Sequence, residues 1–453
     1  MDDLPQPLPC HWLALPPDVL PVVLMPLPAL ELARLGGTCV ALRAATRAVT
    51  SSRLTALRPA SAALERRHEQ QGADGETSQS ERLHRLEGCR GRIVALGGFD
   101  TARLAEDCPE DDQHDDEGCL ADVELLGQCY DDSPQLQQSI APAPLRVRRA
   151  DVAAVCLDGG WVYAVGGRCG AADHSSVARL DLATGRWRDD VEPMTVPLSG
   201  CAASRLGGSR LLVAGGAYRP SWRATSLVQI YDARSDSWNI CSEMSQFRYF
   251  SSAVALTPAA AGADSSPRVA VLGGVSQTGT QMGGNQEPNV YRPRLVEIYH
   301  GADDIWSHGP QLLAERYGCA AAVLPGSGRV AALGGTDGSG QRLGAHSAEA
   351  VDLRVATAVA LAPLPVELWG AAAAAVHRHR SSSSSEIVVC GGCVARQQQQ
   401  GQAHEGVGGG AIAGSRDESV AQCHVYEERA DRWREAPDMV VGRWCGSATV
   451  CTV

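Results

Sequence analysis

RLLVAGG, residues Arg210 to Gly216, is the stretch whose reading decides the fold. Its consecutive apolar residues predict a strand buried on both faces, since a half-exposed strand would alternate. The two glycines that end it carry no Cβ, so the backbone there can twist sharply or accept a close neighbour. The same pattern recurs as RIVALGG ending at Gly97-Gly98, VYAVGG at Gly166-Gly167, RVAVLGG at Gly273-Gly274, RVAALGG at Gly334-Gly335 and EIVVCGG at Gly391-Gly392, giving six copies.

Outward from the glycines, four copies continue alike. After a variable loop, a second apolar run ends in an aromatic or Leu, and a Trp follows seven residues later: Leu180 with Trp187, Tyr231 with Trp238, Tyr299 with Trp306, and Tyr426 with Trp433. Turn-rich residues lie between. A fixed spacing across a turn predicts a hairpin, because a slip of one residue would flip every side chain to the other face. Met194, Met244, Leu312 and Met439 come next, then Arg248, Arg316 and Arg443, with Leu198 in the fourth case. The fifth copy has Val351 and Ala358 where Tyr and Trp belong, and the first has no Trp. Four-stranded units repeating at roughly 50 residues predict propeller blades.

The combination of diglycine, Tyr-x6-Trp and Met-x3-Arg resembles the kelch repeat over about four-fifths of the chain. Residues 83–453 are therefore expected to form a six-bladed kelch β-propeller. The run Cys445-Gly-Ser-Ala-Thr-Val-Cys451 is similar to the innermost strands of other blades, such as Gly200-Cys-Ala-Ala203, so the C-terminal strand 445–452 is expected to complete the first blade. An open ring would leave two unpaired edges.

Composition sets outer bounds. The 453 residues carry a net charge of −12, which disfavours a nucleic-acid partner. The acidic N-terminus lacks the pattern of a secretory signal. No apolar stretch is long enough to span a membrane, the run Val19 to Leu30 being broken by Pro21, Pro26 and Pro28. Sixteen Cys without such a signal predict free thiols in a reducing compartment, cytoplasmic or nuclear. Cys201, Cys319 and Cys445 read as small hydrophobes.

Residues 13–57 differ from the rest. They are Leu-rich with helical spacing, and Pro-Pro-Asp at 16–18 reads as a helix start. About 45 residues bury too little surface to be stable alone, so the apolar surplus predicts a partner. The segment is similar to an F-box through Leu15-Pro16, Asp18-Val19-Leu20, Val23-Leu24, Leu27, Leu32 to Leu35 and Cys39 to Arg43. It departs at Pro21 and Pro26 and at Val40-Ala41. The resemblance implies docking to a Skp1-like adaptor of a cullin ubiquitin ligase through Leu15, Pro16, Val19, Leu20, Leu24, Leu27 and Leu35. Residues 58–82 read as a polar linker. The expected fold class is thus an all-β six-bladed kelch β-propeller with a small N-terminal all-α F-box-like segment.

The longest insertions, 99–121, 275–294 and 393–419, follow diglycines, and the Met-x3-Arg corners are expected on the same rim. Arg149, Arg248, Tyr249, Arg316, Tyr317, Trp369, Arg443 and Trp444 are the candidate rim residues for an unknown target protein, because Arg and aromatics dominate binding hot spots. The opposing structural reading is that these Arg bond between blades. Glu106, Glu110 and His114 resemble the Glu-x3-Asp-x3-His iron site of some kelch proteins, with Glu110 in place of Asp, but a dense acidic run is expected to be solvated. Cys390-x-x-Cys393 lacks a second pair for zinc. No cofactor, metal, membrane or catalytic residue is implied. The function expected is a substrate-recognition adaptor of an SCF-type ligase with no active site of its own. The alternatives are a non-ligase kelch scaffold and a metal-dependent kelch enzyme.

Overall fold

The computed structural model describes residues 91–103, 118–126, 142–170, 172–218, 223–256, 266–278, 289–337, 346–377, 385–394 and 418–451, together with positions 82, 85, 86 and 89. The expected F-box-like segment and its Leu15, Pro16, Val19, Leu20, Leu24, Leu27 and Leu35 lie outside these residues. So do linker residues 58–81 and the Glu106, Glu110 and His114 run.

Six antiparallel sheets form the blades of a propeller. Blade 1 pairs Ile93–Leu96 with Val123–Leu126 on one side and with Ser447–Val450 on the other. Blades 2 to 6 place four strands each in chain order from the axis outward, beginning with Ala153–Leu157, Ala202–Arg205, Tyr249–Leu256, Ala320–Val323 and Ala372–His377. These five inner strands and Ser447–Val450 follow one another round the axis, so the ring closes between the two ends of the chain. The Ser447 and Thr449 hydroxyls accept the amides of Ala154 and Cys156 across that seam.

The second strand of each blade is the diglycine run, and its consecutive apolar residues are buried, as in Ile93–Leu96 and Val330–Leu333. Both of its faces meet apolar surface because neighbouring blades pack face to face. Tyr163 and Val165 of blade 2 join Leu211, Val213, Tyr231 and Trp238 of blade 3 in one cluster. The spaced hairpins are in the expected register, with Leu180, Tyr231, Tyr299 and Tyr426 opposite Trp187, Trp238, Trp306 and Trp433, and Val351 opposite Ala358.

The diglycines are junctions. The second glycine of each donates its amide to the corner carbonyl that ends the same blade, from Gly98 to Arg149 at 2.7 Å through Gly392 to Arg443 at 2.7 Å. A Cβ on Gly273 would lie 2.8 Å from the Arg316 carbonyl, closer than a side chain tolerates, so the junction demands glycine.

Each inner strand opens on a residue in the left-handed region: Asp151, Gly200, Phe250, Gly318, Gly370 and Cys445, with φ between 50° and 65°. Their amides and carbonyls form a closed ring of six hydrogen bonds about the axis. Gly200 donates to Asp151, Phe250 to Gly200, Gly318 to Phe250, Gly370 to Gly318, Cys445 to Gly370 and Asp151 to Cys445, at 2.7–3.0 Å.

Before blade 1, the described positions 82, 85, 86 and 89 are helical. Arg82 pairs with Asp181 at 2.7 Å, and Leu86 packs over Gly160 and beside Leu182. These partners lie in the hairpin turns of blade 2, at the end of the ring opposite the diglycines. No helix among the described residues is long and apolar enough to cross a membrane.

Candidate binding rim

The corner segments and the segments that leave the diglycines share one end of the ring. Paired bridges tie them in every blade: Ala150 to Arg168, Ser199 to Ala217, Tyr249 to Val275, Tyr317 to Thr336, Trp369 to Cys393, and Trp444 to Phe99. The described flanks of the three longest insertions therefore stand at this end. In blade 4 they form an extension, Asn289–Tyr291 pairing with Ser276, Gln277 and Thr278.

The four rim arginines are not at the surface. Arg149, Arg248, Arg316 and Arg443 are 0–4% exposed. Each reaches into the following blade and donates to the carbonyl of its first diglycine residue: Arg149 to Gly166 at 2.9 Å, Arg248 to Gly273 at 2.8 Å, Arg316 to Gly334 at 2.7 Å and Arg443 to Gly97 at 3.1 Å. Three also pair with a buried or nearly buried carboxylate. Arg248 meets Glu297 at 2.8 Å, Arg316 meets Glu349 at 2.6 Å, and Arg443 meets Glu124. These guanidinium groups bond backbone carbonyls between two blades, the structural one of the two readings stated for them. Arg149 instead donates to the Ser176 carbonyl and hydroxyl, Ala178 standing at the sequence position these Glu hold, and burial lowers its pKa to about 10.

The carboxylates were missed in the sequence. Their separation from the arginine is 33 residues for Arg316 and Glu349, 49 for Arg248 and Glu297, and 319 for Arg443 and Glu124, because insertions intervene and the ring closes between the chain ends. A usable signal does exist. Glu297 stands two residues before Tyr299, and Glu349 two before Val351, as charged residues inside otherwise apolar runs. At the same position Gln229 and His424 stand in blades 3 and 6, whose preceding corners carry Leu198 and Leu368 instead of Arg. Gln229 bonds both ways to the Val196 backbone, at 3.2 and 3.4 Å.

The aromatics form an arc round the channel mouth. Phe99 meets Trp444 edge-on at 5.7 Å, Trp444 meets Trp369 at 4.6 Å, and Trp369 meets Tyr317 at 6.4 Å. Tyr249 lies 5.0 Å from Phe250. Tyr249, Tyr317 and Trp369 largely cover one another or the backbone and are only 5–9% exposed, while Trp444 is half-buried. Burial pushes the Tyr249 hydroxyl up to about 12. Phe250 packs against both the Tyr249 and the Trp369–Cys445 clusters, so its ring lies across the mouth.

Below it runs an axial cavity of about 150 Å³, lined by small residues such as Ala153, Ala202, Ser252, Ala320, Ala372 and Ala448. Ligand pockets usually measure about 300 Å³ or more, so the bore suits a few waters.

What the rim does expose differs from the expected set. Phe247 and Tyr291 are each 51% exposed, Phe247 preceding Arg248 on its corner and Tyr291 standing on the blade 4 extension. Val290 lies next to Tyr291, and Val147, Leu313 and Val440 are exposed on three other corner segments. Arg292 stacks 5.9 Å from the Tyr317 ring. Phe247 and Tyr291 were overlooked because neither occupies a repeated position.

No protein-family model and no curated protein matches this chain. Among solved structures, that of YjhT is similar, with a TM-score of 0.51 and 15% identity over 67% of this chain and 88% of that one. A likeness at that identity is one of fold: the described chain is an all-β six-bladed propeller.

Proposed function

We propose that the chain is a substrate-recognition adaptor of an SCF-type ubiquitin ligase, acting in the cytoplasm or nucleus. Residues 13–57 hold a Skp1-like adaptor and, through it, the cullin core. The rim holds a target protein. The observation that carries the binding half is the blade 4 sector, where Val290 and Tyr291 stand exposed on the extension Asn289–Tyr291 and Phe247 stands exposed on the corner that precedes the blade. Exposed aromatics on a rigid frame supply contact area at small entropic cost. The ligase half rests on the F-box resemblance of the leucine pattern. The mechanism is proximity, raising the effective concentration of a target lysine near a charged ubiquitin carrier.

Co-purification of the full chain with a Skp1-like adaptor tests the first half, and Leu15→Asp with Leu24→Asp should abolish it. Phe247→Ala with Tyr291→Ala should weaken target capture about tenfold or more while leaving adaptor binding intact. A wild-type chain that captures targets but no adaptor would instead be a scaffold.

A further inference from the structure

Cys390 ends the diglycine strand of blade 6, and Cys423 begins the strand beside it. The two stand directly opposite each other in the antiparallel ladder. The neighbouring position is hydrogen-bonded, Gly391 donating to Gln422 at 3.0 Å, so Cys390 and Cys423 occupy a non-hydrogen-bonded pair. The Cys423 amide agrees, pointing away from Cys390 toward the Asp438 carboxylate at 3.4 Å. In such pairs the Cα atoms are about 4.5 Å apart and the side chains lean together, within the span a disulfide bridges. Both thiols belong to one apolar cluster with Ala95 and Met439, and the Cys423 Sγ donates to the Ala421 carbonyl at 3.8 Å.

Cys393, the other member of the sequence motif, is placed elsewhere. It pairs with Ser419 and packs with Trp369 and Cys445.

We propose that Cys390 and Cys423 form a redox-dependent cross-strand disulfide that ties off the root of the blade 6 rim insertion. In the reaction with glutathione disulfide, one cysteine thiolate attacks and releases a first glutathione thiolate. The second cysteine, losing its proton, attacks the mixed disulfide and releases the other. The protein pair loses two electrons and two protons, and glutathione disulfide becomes two glutathiones. The neighbouring Cys390 thiol and burial raise the Cys423 pKa, so little thiolate is present in the folded ring and exchange there is slow. Equilibration accompanies folding. The bond encloses residues 391–422, the longest of the post-diglycine excursions.

The test refolds the full chain in glutathione buffers of graded potential, traps free thiols with an alkylating agent, and maps linkages by mass spectrometry without reductant. The expected result is a Cys390–Cys423 linkage that accumulates as the buffer becomes oxidising. It should persist in Cys393→Ser and vanish in Cys423→Ser. A protease site placed between Val394 and Glu418 gives a second readout: the cut halves should migrate together in denaturing gels until reductant is added. Recovery of Cys390 and Cys423 as alkylated or glutathione-capped thiols in the most oxidising buffer would overturn the proposal. A dominant Cys390–Cys393 linkage would do the same.

Discussion

The seam between blades 3 and 4 and the seam between blades 4 and 5 join the same kind of sheet, yet they are fastened differently. At the first, Trp306 of blade 4 donates to the Ser242 carbonyl at 2.7 Å, and the turn residue Asp304 takes both the Tyr299 hydroxyl and the Ser242 amide. Near the axis, Arg248 and Glu297 add an inner clamp. At the second, the outer fastening is missing. Ala358, Val351 and Ala356 replace Trp, Tyr and Asp in blade 5, while the inner clamp of Arg316 with Glu349 remains. The receiving position in blade 4 has changed in step. By alignment with Ser242 it is Pro310, which has no amide to leave unsatisfied. A fastening can be dropped when both halves go together. Losing one half strands a buried polar group.

The sharpest way to break this contrast is at the seam that lacks the outer fastening. Arg316→Leu leaves the Glu349 carboxylate buried and uncompensated, which costs about 3–5 kcal/mol. Arg316→Leu with Glu349→Gln copies the Leu198 and Gln229 arrangement of blade 3 and should recover more than half of that loss. Equilibrium denaturation in urea measures both. Equal losses in the single and double variants would sink the idea that the two positions change as a pair.

A somewhat smaller effect is expected at the outer fastening. Trp306→Ala removes a packed indole and its hydrogen bond to Ser242, and about 3 kcal/mol should be lost. Thermal unfolding at matched protein concentration would show it. A loss within about 0.5 kcal/mol, the range of ordinary surface substitutions, would mean that the missing outer set in blade 5 needs no compensation.

The two fastenings also mark what could be read in advance. The diglycine strands were legible because a doubly buried run and a Cβ-free junction each admit few residue types. The Tyr and Trp hairpins were legible because a short turn fixes their spacing. The corner arginines were legible as a repeat, but rim contact and bonding between blades both stayed open, since their acceptors are backbone carbonyls of another blade that carry no sequence signature. Glu297 and Glu349 were hidden behind insertions of varying length. Tyr317 and Trp369 were identified by type, but they cover each other through contacts between residues 52 positions apart. Phe247 and Tyr291 belong to no repeat, so only the solvent exposure of the folded rim reveals them.

The smallest effect tests the position where neither fastening logic is complete. His424 stands in blade 6 where Glu297 stands in blade 4, with Leu368 rather than Arg on the preceding corner. It is buried and neither ring nitrogen has a partner. Burial lowers its pKa, with Glu435 and Asp438 opposing more weakly. Below about pH 6.5 the unfolded chain therefore takes up a proton that the folded chain resists. Stability from this group is complete above that pH and declines as the pH falls through the lower folded value. His424→Gln removes the titration and allows the amide to bond to the Val366 backbone as Gln229 does to Val196. At pH 7.5 the variant should match or exceed the parent by about 1 kcal/mol. Its acid loss between pH 6.5 and 5 should be shallower, with a residual slope from His174, whose pKa burial and Arg149 also lower. Superimposable stability profiles for parent and variant would show that His424 is already solvated, and that the Leu368 corner tolerates a polar neighbour which the arginine corners must neutralise.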